Sequence, residues 1–286
     1  MELKNQLLDR ISDYNAHRRW LSLDGRSFSD CFVDSEKLKR SLYFKGDVER
    51  DSLPFKEEIR SYVLANQGYM AKVLFAEKVE EAFEKPTDQR LNVLGDTVDV
   101  FASHMDKNGF LDFANIEVEG YPLSGHFIDV MSLAMACSTY YGSEQETRKI
   151  VGLCGLLHDW GKSQVNSEIL NYSGKLSQDQ MGEMQMHTER GYEILRKHFS
   201  SPIPEVALEH HERRDGSGYP FGKQNPDDIT EMISIADVYQ ALTSRERPYR
   251  SSVGSLDALS IIQDEMRDRK FSEKCFESFA KMLSYD

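Results

Sequence analysis

Apolar residues recur along this chain at intervals of three and four, the period of a helix with one buried face. Leu91, Leu94, Val98, Phe101 and Met105 form one such stripe. Phe55, Ile59, Val63, Met70, Val73 and Leu74 form another, in a long helix predicted to end near the Lys85-Pro86 break. Strand-like alternation is scarce, and only residues 24–53 leave room for a few short strands. Helix starts are marked at Ser143 with Glu146 and at Ser177 with Gln180, both reading as capping boxes. A third start is Asn225-Pro226-Asp227-Asp228, read as N-cap, N1 proline and acidic first turn. No repeat of solenoid period and no low-complexity tract interrupts this pattern, which predicts an all-α protein.

Composition narrows the class. With 286 residues, 40% hydrophobic and 29% charged, the chain can bury a substantial core as one large domain or two smaller ones. The net charge of −13 argues against bulk nucleic acid and against an anionic membrane surface. An anionic substrate would need a metal or a few placed Lys and Arg to meet it. The charge is uneven: 16 Lys+Arg against 19 Asp+Glu over residues 1–104, but 19 against 29 over residues 105–286. Six of the eight histidines also lie from His126 onward. A mostly helical N-terminal region, 1–104, and a histidine-rich domain, 105–286, are therefore expected. Cys31, Cys137, Cys154 and Cys275 show no CxxC spacing, which fits a reducing compartment. The N-terminus has no signal-peptide core, and the longest uncharged stretch, Val130 to Ser143, is too short to span a bilayer. A cytoplasmic protein without a membrane span is expected.

Five apolar stripes each carry a polar residue that a simple core would not hold. His126 shares a face with Val130, Leu133, Ala134 and Cys137. Ile150, Val151, Cys154 and Leu157 lead to His158-Asp159. His187 lies with Gly191, Ile194 and Leu195, while Ile203, Val206 and Ala207 lead to His210-His211. Asp237 follows Ile233 by four residues on the buried side of its helix. A single such histidine is ordinarily a hydrogen-bonded core residue. If these five stripes face one core, the seven residues converge, and a metal cluster would satisfy them together. Imidazole and carboxylate without thiolate favour iron, manganese or zinc at a non-structural site. Adjacent helical residues diverge by about 100°, so the doublets suit two ions about 3.5–4 Å apart better than one. Asp159 would bridge them, with a bridging hydroxide as nucleophile.

Two further features have an ordinary and a functional reading. Lys162 follows Asp159 by three residues: it is either a solvated lysine near a helix end or a cation for a substrate phosphate. The turn Asp215-Gly216-Ser217-Gly218-Tyr219-Pro220 is either a plain helix connection or a loop over the site with Tyr219 as a contact.

At this point the residues resemble a known family, the bacterial HD-GYP phosphodiesterases. Leu156-Leu157-His158-Asp159-Trp160-Gly161-Lys162 matches the HDxGK motif, and His210-His211-Glu212-Arg213-Arg214-Asp215-Gly216-Ser217-Gly218-Tyr219-Pro220 matches HHExxDGxGYP. Between them lie Glu168-Ile169-Leu170-Asn171, Gly174-Lys175-Leu176 and His187 with Gly191, and after them Ile235-Ala236-Asp237-Val238-Tyr239-Gln240-Ala241-Leu242-Thr243-Ser244. The resemblance spans roughly residues 105–286. It implies an HD-type helical bundle with a binuclear metal centre, behind a smaller, mostly helical N-terminal domain. The implied activity is hydrolysis of cyclic di-GMP to pGpG or GMP; alternatives are a related cyclic GMP–AMP substrate or a non-catalytic receptor or interaction module.

Carried over by motif position, the ligands are His126, His158, Asp159, His187, His210, His211 and Asp237. Asp159 and Lys162 are the catalytic pair, and Lys162, Tyr219, Arg247 and Arg250 the substrate contacts. Trinuclear relatives carry a glutamate where this chain has Pro122, so two divalent ions are expected, iron or manganese, with zinc also suited. The segment Ser244-Arg245-Glu246-Arg247-Pro248 is one residue longer than the family pattern. The resemblance further implies contact with a diguanylate cyclase through the GYP loop. No receiver, PAS or cyclase motif stands in the N-terminal region, which is read as regulatory or dimerising, giving a homodimer through its helices.

Overall fold

Asn66 divides what the apolar period reads as one long helix. It adopts φ 54°, and the pairs Asn66 N to Val63 O and Gln67 N to Tyr62 O close a left-handed terminus of Schellman type. Two helices result, α1 (Ser52–Leu64) and α2 (Gly68–Glu84). In the computed structural model the described residues are 52–244 and 252–284, and they contain helices and turns but no strand. Nearly all of the 24–53 stretch allowed for strands lies outside them, as do Arg247 and Arg250.

The next helices are α3 (Asp88–His104), α4 (Lys107–Ala114), α5 (Pro122–Tyr141) and α6 (Gln145–Leu157). A 3-10 turn, Trp160–Gln164, leads to the single turn α7 (Ser167–Leu170) and to α8 (Gln178–Gln185). Then come α9 (His187–Leu195), α10 (Ile203–Glu209), α11 (Asp228–Thr243), α12 (Ser255–Arg267) and α13 (Glu273–Leu283).

The cap at Ser177 is a capping box, as its sequence predicts. The one expected at Ser143 does not form. Gly142 ends α5 in the left-handed region, and Ser143 gives its amide to Ser138 O in that closure, so α6 starts one residue later from Glu144 without a side-chain cap. At α11 the N-cap is Asp227, which accepts from Thr230 N, and not Asn225.

Helix α5 occupies the centre. It is buried on nearly every side, through Phe127, Ile128, Val130, Met131, Leu133, Ala134, Met135, Ala136 and Cys137, because α2, α4, α6, α11 and α13 surround it. The neighbouring α6 comes close enough that a Cβ on Gly155 would lie 2.9 Å from Met131 Cα. Helices α1, α2 and α3 pack on one another, and α2 and α3 reach α5 and α6. The described residues thus belong to one compact unit. Cys137, Cys154 and Cys275 are buried free thiols. No described helix is long and apolar enough to cross a membrane.

Candidate metal centre

Packing around α5 brings all seven predicted ligands to one place. His126 comes from α5, His158 and Asp159 from the end of α6, His187 from the first turn of α9, His210 and His211 from the end of α10, and Asp237 from the middle of α11. Their ring nitrogens and carboxylate oxygens fall into three overlapping sets, each within 4.8 Å: Asp159 with His187, His210 and His211; His126 with His158 and Asp159; and His158 with His210 and Asp237.

Four of the rings are aimed by the same device. Nδ1 of His158, His187 and His210 donates to the carbonyl three residues earlier, at 2.7, 2.7 and 3.0 Å to Gly155, Met184 and Ala207. His126 Nδ1 donates to Gln240 Oε1 at 2.7 Å. A carbonyl oxygen only accepts, so each Nδ1 carries a proton, and each Nε2 is the nitrogen turned to the centre.

Asp159 stands between these nitrogens. Its Oδ2 lies 3.3 Å from His126 Nε2 and 3.2 Å from His158 Nε2 and accepts from Lys162 Nζ; its Oδ1 lies 3.1 Å from His187 Nε2 and 3.7 Å from His210 Nε2. The two oxygens therefore face two groups of imidazoles. Asp237 Oδ1 closes one group, 3.4 Å from His126 Nε2.

Burial pushes the Asp159 carboxyl up, but the Lys162 ammonium ion-paired with it is the largest opposing influence, and the carboxyl is held well below the usual range. Asp237 is lowered likewise, in spite of its burial. Burial lowers His210, and burial with the neighbouring His210 and His187 lowers His211 further. Neutral imidazoles beside ionised carboxylates are the protonation state a divalent cation needs. Two buried atoms of the cluster, His158 Nε2 and Asp159 Oδ1, have no hydrogen-bond partner among the described residues. These orphaned acceptors fit a cation and not a self-contained polar core.

The GYP loop packs against the same cluster. Tyr219 stacks on His211, with ring centroids 4.6 Å apart and an interplanar angle of 28°. Gly218 is required there, since a Cβ would lie 2.3 Å from His211 O. The loop is pinned by Glu212, a buried carboxylate that accepts from Phe221 N at 2.8 Å and Lys223 N at 2.9 Å. Glu212→Ala is expected to cost about 1–3 kcal/mol by leaving these donors unpaired. It should speed hydrogen exchange at the Phe221 and Lys223 amides, while exchange in α5 shifts no further than that stability loss. Unchanged exchange at the two amides would refute the pinning.

Three residues at the cluster received no role from sequence. Glu212 lies inside a quoted motif. Gln240 and Asp129 each follow a predicted ligand, Asp237 and His126, by three residues on one helix face, which is the signal that could have found them. Of the predicted substrate contacts, Lys162 and Tyr219 are at the cluster and the two arginines lie outside the described residues.

Comparison with known proteins places this geometry. The HD domain family matches residues 110–274. Cyclic di-GMP phosphodiesterase PA4108 of Pseudomonas aeruginosa is 31% identical over 180 residues, 62% of this chain and 43% of that protein. The 3′3′-cGAMP-specific phosphodiesterase 1 of Vibrio cholerae is 36% identical over 155 residues, 53% of this chain and 36% of that protein. The cyclic di-GMP phosphodiesterase response regulator RpfG of Xanthomonas campestris is 34% identical over 161 residues, 54% of this chain and 42% of that protein. The chain spans less than half the length of each of these curated relatives. Among solved structures, Bd1817, a HDG"Y"P protein from Bdellovibrio bacteriovorus, superposes with a TM-score of 0.62 at 18% identity, covering 87% of this chain and 78% of that one; the likeness is of fold. Matched over more than half its length, and with its HD and GYP motifs folded against one histidine–aspartate cluster, the chain belongs to the HD domain family as an HD-GYP member.

Proposed function

We propose that this chain is a metal-dependent cyclic dinucleotide phosphodiesterase that hydrolyses cyclic di-GMP to pGpG or GMP. The observation that carries the reading is Asp159, one buried carboxylate whose two oxygens face two groups of imidazoles beside the GYP loop. His126, His158, Asp159 and Asp237 would hold one divalent ion, and His187, His210 and His211, with Asp159 shared, a second. Iron or manganese suits these donors, and zinc is compatible with them. Bound there, such ions supply a water of lowered pKa and a Lewis acid for the phosphate.

The chain's own groups would do the rest. Lys162, ion-paired with Asp159 at the rim, offers its ammonium to a phosphate oxygen. Burial, with Asp159 and Asp237, pushes the Tyr219 phenol up, so it stays protonated and donates a hydrogen bond. Arg247 and Arg250 follow α11 in sequence and would meet the second phosphate. Phe221, exposed beside Tyr219 and Pro220, would serve a diguanylate cyclase partner. The region 1–104 would regulate or dimerise the protein.

The test is anaerobically purified full chain, loaded with Fe(II) or Mn(II) and offered cyclic di-GMP, 3′3′-cGAMP, pGpG and cyclic mononucleotides. Linear pGpG or GMP is expected. Binding of the cyclic dinucleotide without cleavage in either metal would make the protein a receptor, and cleavage confined to mononucleotides would make it a generic HD phosphohydrolase. Lys162→Met should lower turnover about a hundredfold at unchanged metal content; full turnover would remove Lys162 from the mechanism.

A further inference from the structure

Beyond the cluster, one hydrogen-bonded chain runs from a ligand to a helix that lies outside the matched residues 110–274. His126 Nδ1 donates to Gln240 Oε1 at 2.7 Å, and Gln240 Nε2 donates to Asp129 Oδ2 at 3.3 Å. Asp129 Oδ1 accepts from Lys72 Nζ at 2.5 Å. Lys72 is buried in α2 and also donates to the carbonyls of Phe113, Ala114 and Ile116, at and just beyond the end of α4. Each group settles the orientation of the next. The Asp129 carboxylate only accepts, so it selects the amide orientation of Gln240 that turns Nε2 to Asp129 and Oε1 to His126. Oε1 in turn holds a proton on His126 Nδ1 and turns Nε2, 3.3 Å from Asp159 Oδ2, to the centre. Unlike the other three rings, His126 has no backbone carbonyl holding its Nδ1, so its tautomer depends on side chains alone.

We infer that Gln240, Asp129 and Lys72 are positioning residues that set the tautomer of His126 and thereby the affinity of the metal centre, so that α2 contributes to a site built on other helices. The inference rests on the metal-centre reading proposed above. Outer contacts of this kind change metal affinity about tenfold to a hundredfold when removed. Reversing the pair tests direction as well as packing. With Gln240→Glu and Asp129→Asn together, the carboxylate accepts from His126 and from the new amide, whose carbonyl accepts from Lys72, and the total charge is unchanged.

The experiment uses the full chain. In metal-free protein with 15N-labelled histidine, the ring nitrogen shifts report the His126 tautomer, with His126→Gln identifying its signals. Mn(II) titration then reports affinity. The wild type should show Nδ1–H at His126. Gln240→Leu should lose that single tautomer and bind Mn(II) about tenfold to a hundredfold more weakly, and Asp129→Asn should lose part of both. The Gln240→Glu/Asp129→Asn protein should recover both, to within about threefold of wild-type affinity. The proposal is overturned if Gln240→Leu, or Asp129→Asn should the former not fold, keeps the wild-type tautomer and affinity. It is also overturned if the reversed pair is as impaired as Gln240→Leu, since packing alone then explains the loss. A wild type with the expected tautomer and no Mn(II) binding overturns the metal-centre reading itself, and with it the claim on affinity.

Discussion

Asp159→Asn is expected to empty the metal centre and to lower cyclic dinucleotide hydrolysis at least about a thousandfold. The substitution keeps the shape of the side chain, so the loss would follow from its chemistry. Aspartate offers an oxygen to each side: Oδ2 to His126 and His158, Oδ1 to His187 and His210. An asparagine offers one oxygen and one NH2 group. Whichever way the amide turns, one group of imidazoles faces a donor that cannot ligate, and the negative charge shared by both groups is gone. Lys162 loses its ion-pair partner as well.

The metal-free variant should be less stable than the metal-free wild type, because Lys162 loses the buried carboxylate it pairs with. The effect on the metal is separated from this by adding Mn(II). A ligand at a hundred times its dissociation constant stabilises the folded state by about 2.7 kcal/mol, and the melting temperature of the wild type should rise while that of the variant stays put. Metal content, thermal unfolding with and without Mn(II), and turnover together check the prediction. A variant that keeps its metal and its rise in melting temperature would show that Asp159 is not shared between the two groups.

Gly161→Ala should be the most damaging single methyl near the site. A Cβ there would lie 1.8 Å from His187 O, 2.4 Å from Gly191 N and 2.8 Å from His187 C. All three are backbone atoms, so no side-chain rotation relieves the clash. The 3-10 turn and α9 would have to separate, at the upper end of or beyond the about 1–3 kcal/mol typical of overpacking. His187 would move with α9 away from Asp159, so metal affinity should fall together with stability. Gly191→Ala is the natural comparison. Its Cβ would come no closer than 3.2 Å to Gly161 N, and a far smaller loss is expected. Denaturant unfolding of the two variants decides the matter: equal stabilities would remove the close backbone approach from the account.

Much of the helical layout was legible in the chain. The stripe from Leu91 to Phe101 lies within α3, and Ser177 with Gln180 caps α8. Helix ends were harder. Ser143 has the composition of an N-cap, but its amide is taken up in closing α5, and Asn66 breaks an apolar period that continues across it. Both errors have one source: apolar spacing records which face is buried, while a terminus depends on how a few backbone groups find partners.

The seven ligand candidates could be picked out one by one, because a histidine or aspartate on an apolar stripe conflicts with its local surroundings. That conflict is a property of each segment and can be seen without knowing its neighbours. The sequence by itself therefore determined an all-helical protein, the residues with metal-binding chemistry, and the HD and GYP motifs. Only the tertiary structure decided that the two oxygens of Asp159 divide four imidazoles between them. It alone decided that Gly161 passes His187 without room for a methyl group, and that Lys72 reaches the centre through Asp129 and Gln240. Each of these depends on ångström-scale distances between segments up to 114 residues apart, as from His126 to Gln240. Such distances are set by how α2, α6, α9, α10 and α11 pack around α5, and helical periodicity carries no information about them.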